Sequence, residues 1–270
     1  MKTHAWHLAL AALMALPGGA RAHDTWLASA TGDTRPGSTA FAMASSSRFP
    51  VAEVAPEATS LMRHACVSVD GRRQRLVPER SEAQALLLRV RHAAESAPLA
   101  CWIEQRSFDI ELEAPKVEAY LQEVRAPHAV RAHWEQLKTA GRPWRETYRK
   151  NLRIETAQGH AAGAAQREAA RQPVGLPLEI VLQGDAPLRP GQELRFVALL
   201  GGRPLAGLPV ELVNDQTSAG TWRTSDAQGA LSFGFPFAAH WLLRATWLTP
   251  RVGDPNRWDS EFVTLLLEIR

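Results

Sequence analysis

"LEIVLQGDAPLRPGQELRFVALLGGRPLAGLPVELVND" (residues 178–215) decides the fold class. Three apolar runs, "LEIVLQG", "LRFVALL" and "VELVND", are separated by "APLRPGQ" and "GGRPLAG". Pro and Gly in those connections supply turn geometry, so the runs read as short strands. The pattern continues to the C-terminus through "TWRTSD", "ALSFGFP", "HWLLRATWL" and "FVTLLLEI". About seven strands with regular turns predict an immunoglobulin-like sandwich over 176–270. "HWLLRATWL" places Trp241, Leu243, Ala245 and Trp247 on one face, because strand side chains alternate.

Upstream, 157–175 is rich in Ala, Gly and Gln and reads as a linker or surface loop. "APKVEAYLQEV" sets Val117, Tyr120, Leu121 and Val124 at helical spacing, with Pro115 in the first turn, where it is tolerated. A second helix is expected through "HAVRAHWEQL". Trp144, Tyr148 and Leu152 are spaced by four, which extends the helical expectation into "PWRETYRKNL". The segment 115–175 is therefore read as a helical insertion and linker. Residues 23–114 alternate strand-like runs with turn signals such as "GDTRPG" and "VDGR", predicting an N-terminal β-sandwich. The expected class is mainly β: two sandwiches with a helical insertion between them.

The first 22 residues read as a secretory signal. Lys2 precedes the apolar "AWHLALAALMAL", Pro17-Gly18-Gly19 breaks it, and Ala20-Arg21-Ala22 fits the small-x-small cleavage rule. The apolar run is too short to span a membrane, and no later stretch qualifies. A periplasmic or secreted mature chain starting at His23 is expected. Loss of Lys2 and Arg21 takes the net charge of +3 to about +1. That leaves no electrostatic reason to expect nucleic acid as a partner. Cys66 and Cys101, an even count in an exported chain, predict one disulfide.

No phosphate loop, G-x-S-x-G, H-E-x-x-H or C-x-x-C is present, and no carboxylate pair can be assigned to acid–base work, so no enzyme class is expected. The specific chemistry lies at His23. Cleavage after Ala22 frees an α-amine on a histidine, and amine plus imidazole chelate Cu, Ni, Co or Zn. A third-position histidine site is excluded because Thr25 stands there. Further ligands must come from elsewhere: Asp24 supplies a neighbouring carboxylate, and His240 begins a strand at a sandwich end. His64 shares a strand face with Cys66 and is expected in the core. His128 and His133 lie about 140° apart on a helix, not at metal-pair spacing. The eight tryptophans of the mature chain are expected in cores and at strand edges rather than on a carbohydrate platform.

"HDTWL" after the A-x-A site, "DIELEAPKVEAYLQE" followed by "WRETYRKNLRIE", the 175–214 run, "TSDAQGALSF" and the closing "WDSEFVTLLLEI" occur in one order. In this order the mature chain resembles the DUF4198 family of exported proteins, associated with periplasmic nickel and cobalt uptake. The resemblance implies the two-sandwich architecture with its insertion. It also implies transition-metal binding, with His23 and Asp24 at the family's mature "HD". Trp247 stands where many relatives carry a histidine. The expected function is a periplasmic protein that binds nickel, cobalt or copper and delivers or buffers it for a membrane transporter. Two alternatives follow from the same residues. One is an envelope adhesion or scaffold module binding a protein or glycan through the Ig-like domain. The other is a copper oxidative enzyme of the histidine-brace kind.

Overall fold

A computed structural model describes residues 24–30, 32, 35–93, 95–217 and 219–270, apart from the His160 side chain. The expected signal segment and His23 lie outside the described residues. The chain is mainly β. Strands β1 (Asp24–Ser29), β2 (Ser38–Ser46), β3 (Leu61–Ser68), β4 (Arg73–Arg75), β5 (Val77–Ser81), β6 (Leu86–Arg91), β7 (Pro98–Gln105) and β8 (Phe108–Leu112) precede helices α1 (Ala114–Glu123) and α2 (His128–Thr139). Then come β9 (Trp144–Glu155), α3 (Ala164–Ala170), β10 (Leu178–Leu182), β11 (Gln192–Leu200), β12 (Arg203–Pro204) and β13 (Pro209–Asn214). β14 (Thr221–Thr224), β15 (Ala230–Phe235), β16 (Ala239–Arg251) and β17 (Asp254–Ile269) complete the described chain.

A nine-stranded sheet runs in the order β14-β13-β16-β17-β9-β7-β3-β4, with β8 also paired to β9. It draws strands from all three predicted segments. The join is β17 against β9, the parallel pair that seats Thr264 beside Leu152. A four-stranded sheet, β1-β2-β6-β5, covers one face, and a second one (β10, β11, β12, β15) covers the other. β16 shows the division. Trp241, Leu243 and Ala245 enter the core under β10, β11 and β15, while Leu242 enters the core under β1, β2 and β6. Alternation along one strand thus feeds two cores at once. The α1–α2 pair packs on the same side as Leu242, around Trp144, Leu248 and Trp258.

α1 and α2 form where the spacing predicts, with Val117, Tyr120 and Leu121 buried. The chain leaves α1 through Arg125, at φ 48°. Its guanidinium lies over the Trp222 ring of β14, 4.4 Å from the centroid, an attractive cation–π placement.

Two expectations are corrected. Trp144–Glu155 is a strand, not a continuation of helix. A spacing of four keeps residues on one face in a strand as well as in a helix, so Trp144, Tyr148 and Leu152 do not discriminate. Pairing with β7, β8 and β17 decides the matter. The segment 157–175 is not a free linker either. It carries α3, and arginines tie it to the fold: Arg153 donates to the Ala170 and Gln172 carbonyls, and the segment's own Arg171 donates to the Gly184 carbonyl. Composition shows the lack of large apolar residues but not these polar anchors.

The predicted disulfide forms. Cys66 and Cys101 face each other across β3 and β7, and both are fully buried.

Candidate functional site

Between the two apolar patches on the Leu242 side of the large sheet runs a polar seam. On β16, Arg244 and Thr246 separate Leu242 from Leu248. On β17, Thr264 separates Phe262 from Leu266. On β9, Lys150 precedes Leu152. Glu211 of β13 lies directly across from Arg244. The start of β1 is laid over this seam. Thr264 Oγ1 donates to the Thr25 carbonyl (2.7 Å), and Lys150 Nζ donates to Thr25 Oγ1 (2.9 Å). The Asp24 carboxylate pairs with Arg244, whose guanidinium also holds Glu211 Oε2 at 2.6 Å.

These charges are largely withdrawn from water, with 12% of the Asp24 side chain and 21% of the Arg244 side chain exposed. Burial holds the Asp24 carboxyl above its ordinary range, against the pull of Arg244. Burial opposes the Arg244 charge too, but Asp24 and Glu211 outweigh it and keep the guanidinium firmly protonated. Burial pushes the Lys150 ammonium down to about 8, against the attraction of Asp24.

A base whose pKa falls on folding binds fewer protons in the native state, so stability rises as pH climbs between the folded and unfolded values. For Lys150 that window runs from about pH 8 to the ordinary lysine value of 10.5. Lys150→Met is expected to flatten the rise, read as urea midpoints at pH 7.5 and pH 10. An unchanged slope in the variant would remove Lys150 as its source.

A small pocket opens beside Asp24, lined also by Glu123, Glu211, Trp222 and Arg244. Gly220 lies close against Glu211: a β-carbon there would stand 1.9 Å from Oε1, so a larger residue would have to displace the Glu211 carboxylate.

His240 lies on the same strand face, four residues before Arg244, about 13 Å along the strand. Its Nδ1 donates to Asp215 Oδ2 (2.6 Å), and its backbone N–H donates to Oδ1 (3.2 Å). The ring is 44% exposed, and the carboxylate orients it with Nε2 outward, the arrangement metal-binding imidazoles use. Asp24 and His240 are thus each fixed, but by different partners. Among the described residues no group of three or more His, Cys, Asp or Glu is gathered for a metal ion. Three other histidines have partners within the fold. His64 bonds the Leu76 carbonyl, Thr39 Oγ1 lies 2.9 Å from His92 Nε2, and His133 Nε2 donates to the Pro255 carbonyl (2.8 Å). Trp247 packs partly against the C-terminal core.

Sequence reasoning found Asp24 but missed Thr25, Lys150, Glu211, Arg244 and Thr264. The signal was the second face of β16, where Leu242, Arg244, Thr246 and Leu248 interrupt an apolar stripe with polar residues.

The sequence model of one family, described as "Domain of unknown function (DUF4198)", matches residues 20–249. No curated protein matches the chain.

Proposed function

The chain belongs to the DUF4198 family, and on that premise we propose that it is an exported protein binding a transition metal at its mature N-terminus. The observation that carries this reading is the clamp on Asp24. Among the described residues, strand pairing begins there, opposite Ser46, and Arg244 holds its carboxylate. Cleavage after Ala22 would leave the amine and imidazole of His23 one residue from Asp24, which lines a pocket with Glu123 and Glu211. Amine and imidazole nitrogens suit nickel, cobalt and copper. Carboxylates from the pocket supply the remaining donors, and His240, oriented by Asp215, serves as an outer capture point. The ion is cargo, buffered in the periplasm or handed to a membrane transporter.

The test is calorimetric titration of mature protein beginning at His23 with Ni, Co and Cu salts. One ion is expected to bind with submicromolar affinity. Affinity should rise with pH as the amine, ordinarily near 8, loses its proton. Acetylation of the His23 amine is expected to weaken binding about a hundredfold, since it removes one arm of the six-membered amine–imidazole chelate. Equal affinity in the acetylated protein would overturn the reading.

A further inference from the structure

A second site stands at the opposite edge of the N-terminal sandwich. At the fully buried Leu76 the chain passes from β4, the edge of the large sheet, to β5, the edge of the small one. A cleft of about 470 Å³ lies along this crossing. Arg75 and Arg91 line it, both exposed, and neither has an ion-pair partner among the described residues. A third guanidinium in the wall, Arg89, is held by Glu79 at 2.8 Å and leaves that carboxylate neutralised. The cleft therefore presents net positive charge on a mature chain expected to carry almost none. Val77, 45% exposed, and Pro78 form an apolar wall. Gln74 also lines the cleft, and its buried amide oxygen has no hydrogen-bond partner among the described residues.

Each feature constrains the ligand. Two exposed guanidiniums on one cleft select a carboxylate or phosphate, which each can bind in fork geometry. The Gln74 amide, half-buried in the wall, can pair with a hydroxyl of the ligand. An apolar wall suits the C–H face of a ring, and few convergent polar groups on an apolar lining are typical of small-molecule sites. A simple anion meets only the first of these requirements. We propose that the Gln74–Arg75–Arg91 cleft binds an acidic sugar, with the two arginines on its anionic group, the Gln74 amide on a hydroxyl and Val77 and Pro78 against the ring. The site is separate from the N-terminal seam and does not depend on metal binding.

The probe is trigalacturonate, titrated calorimetrically into the full mature protein at low salt, with maltotriose and inorganic phosphate as comparisons. Saturable binding of trigalacturonate is expected, with none for maltotriose. The double variant R75A/R91A should weaken it about tenfold or more, and Gln74→Leu about three- to tenfold. Trigalacturonate should also protect Arg75 and Arg91 of the wild-type protein from phenylglyoxal, a readout that needs no variant to fold. No saturable binding, or equal affinity in R75A/R91A, would overturn the site. Inorganic phosphate competing at equal concentration, with Gln74→Leu unaffected, would overturn its assignment to a sugar.

Discussion

Arg153→Met is expected to lower the free energy of unfolding by about 3–5 kcal/mol, the cost of breaking a buried ion network on one side. Arg153 has 1% of its side chain exposed and donates to Glu155 Oε1 and Glu179 Oε1, each at 3.1 Å. Arg171 stands 3.7 Å from Glu155. The four charges cancel, and no water is needed to screen them. Removing Arg153 leaves two buried carboxylates against one guanidinium. The same change releases the carbonyls of Ala170 and Gln172, so the loss extends to α3 and the segment 157–175. Arg153→Lys should recover little, because an ammonium cannot span four acceptors in fork geometry. Urea unfolding checks the magnitude, and limited proteolysis within 157–175 checks where the loss falls. A loss below about 1 kcal/mol would mean that the network is solvated and adds no more than a surface pair.

Arg244→Met should have an effect of similar size, about 3–5 kcal/mol near pH 7, with a pH dependence that identifies its origin. The guanidinium holds Asp24 and Glu211 together. Without it, two carboxylates share a seam with no cation between them, and their folded pKa values rise above the unfolded ones. A group with a raised folded pKa contributes stability below its unfolded value and loses it as pH climbs through the folded value. The gap between wild type and variant should therefore narrow as pH falls from 7 toward 4. A gap constant over that range would mean that Arg244 acts through packing rather than charge. If the proposed N-terminal metal site uses Asp24 and its pocket, metal affinity of mature R244M protein should fall while that of R153M protein, unfolded fraction aside, does not. The pair of variants thus separates damage at the N-terminal seam from damage to the fold.

Much of the architecture was legible in the chain. Strand runs bounded by Gly and Pro marked the C-terminal sandwich, helical spacing marked α1 and α2, and Cys66 and Cys101 marked the disulfide. The site was legible only in part. Asp24 stood out because it follows the expected cleavage point, whereas Arg244 sat inside a strand whose opposite face drew attention to tryptophan and leucine. Lys150 lay in a stretch read as helix. Its seam position became visible only once Trp144–Glu155 was known to pair with β17.

Sequence alone determined what is local. Side-chain alternation and turn chemistry depend on near neighbours along the chain, so the mainly-β class follows from residues that can be read in order. Tertiary structure decided what is not local. A spacing of four fits both periods, so only the partners of β9 made it a strand. Only the layering of two small sheets and a helix pair on one large sheet created a polar seam between apolar patches. Asp24 meets Arg244 across 220 residues of chain. No local pattern encodes such a meeting, because it depends on which faces are left to pack once every strand has found its place.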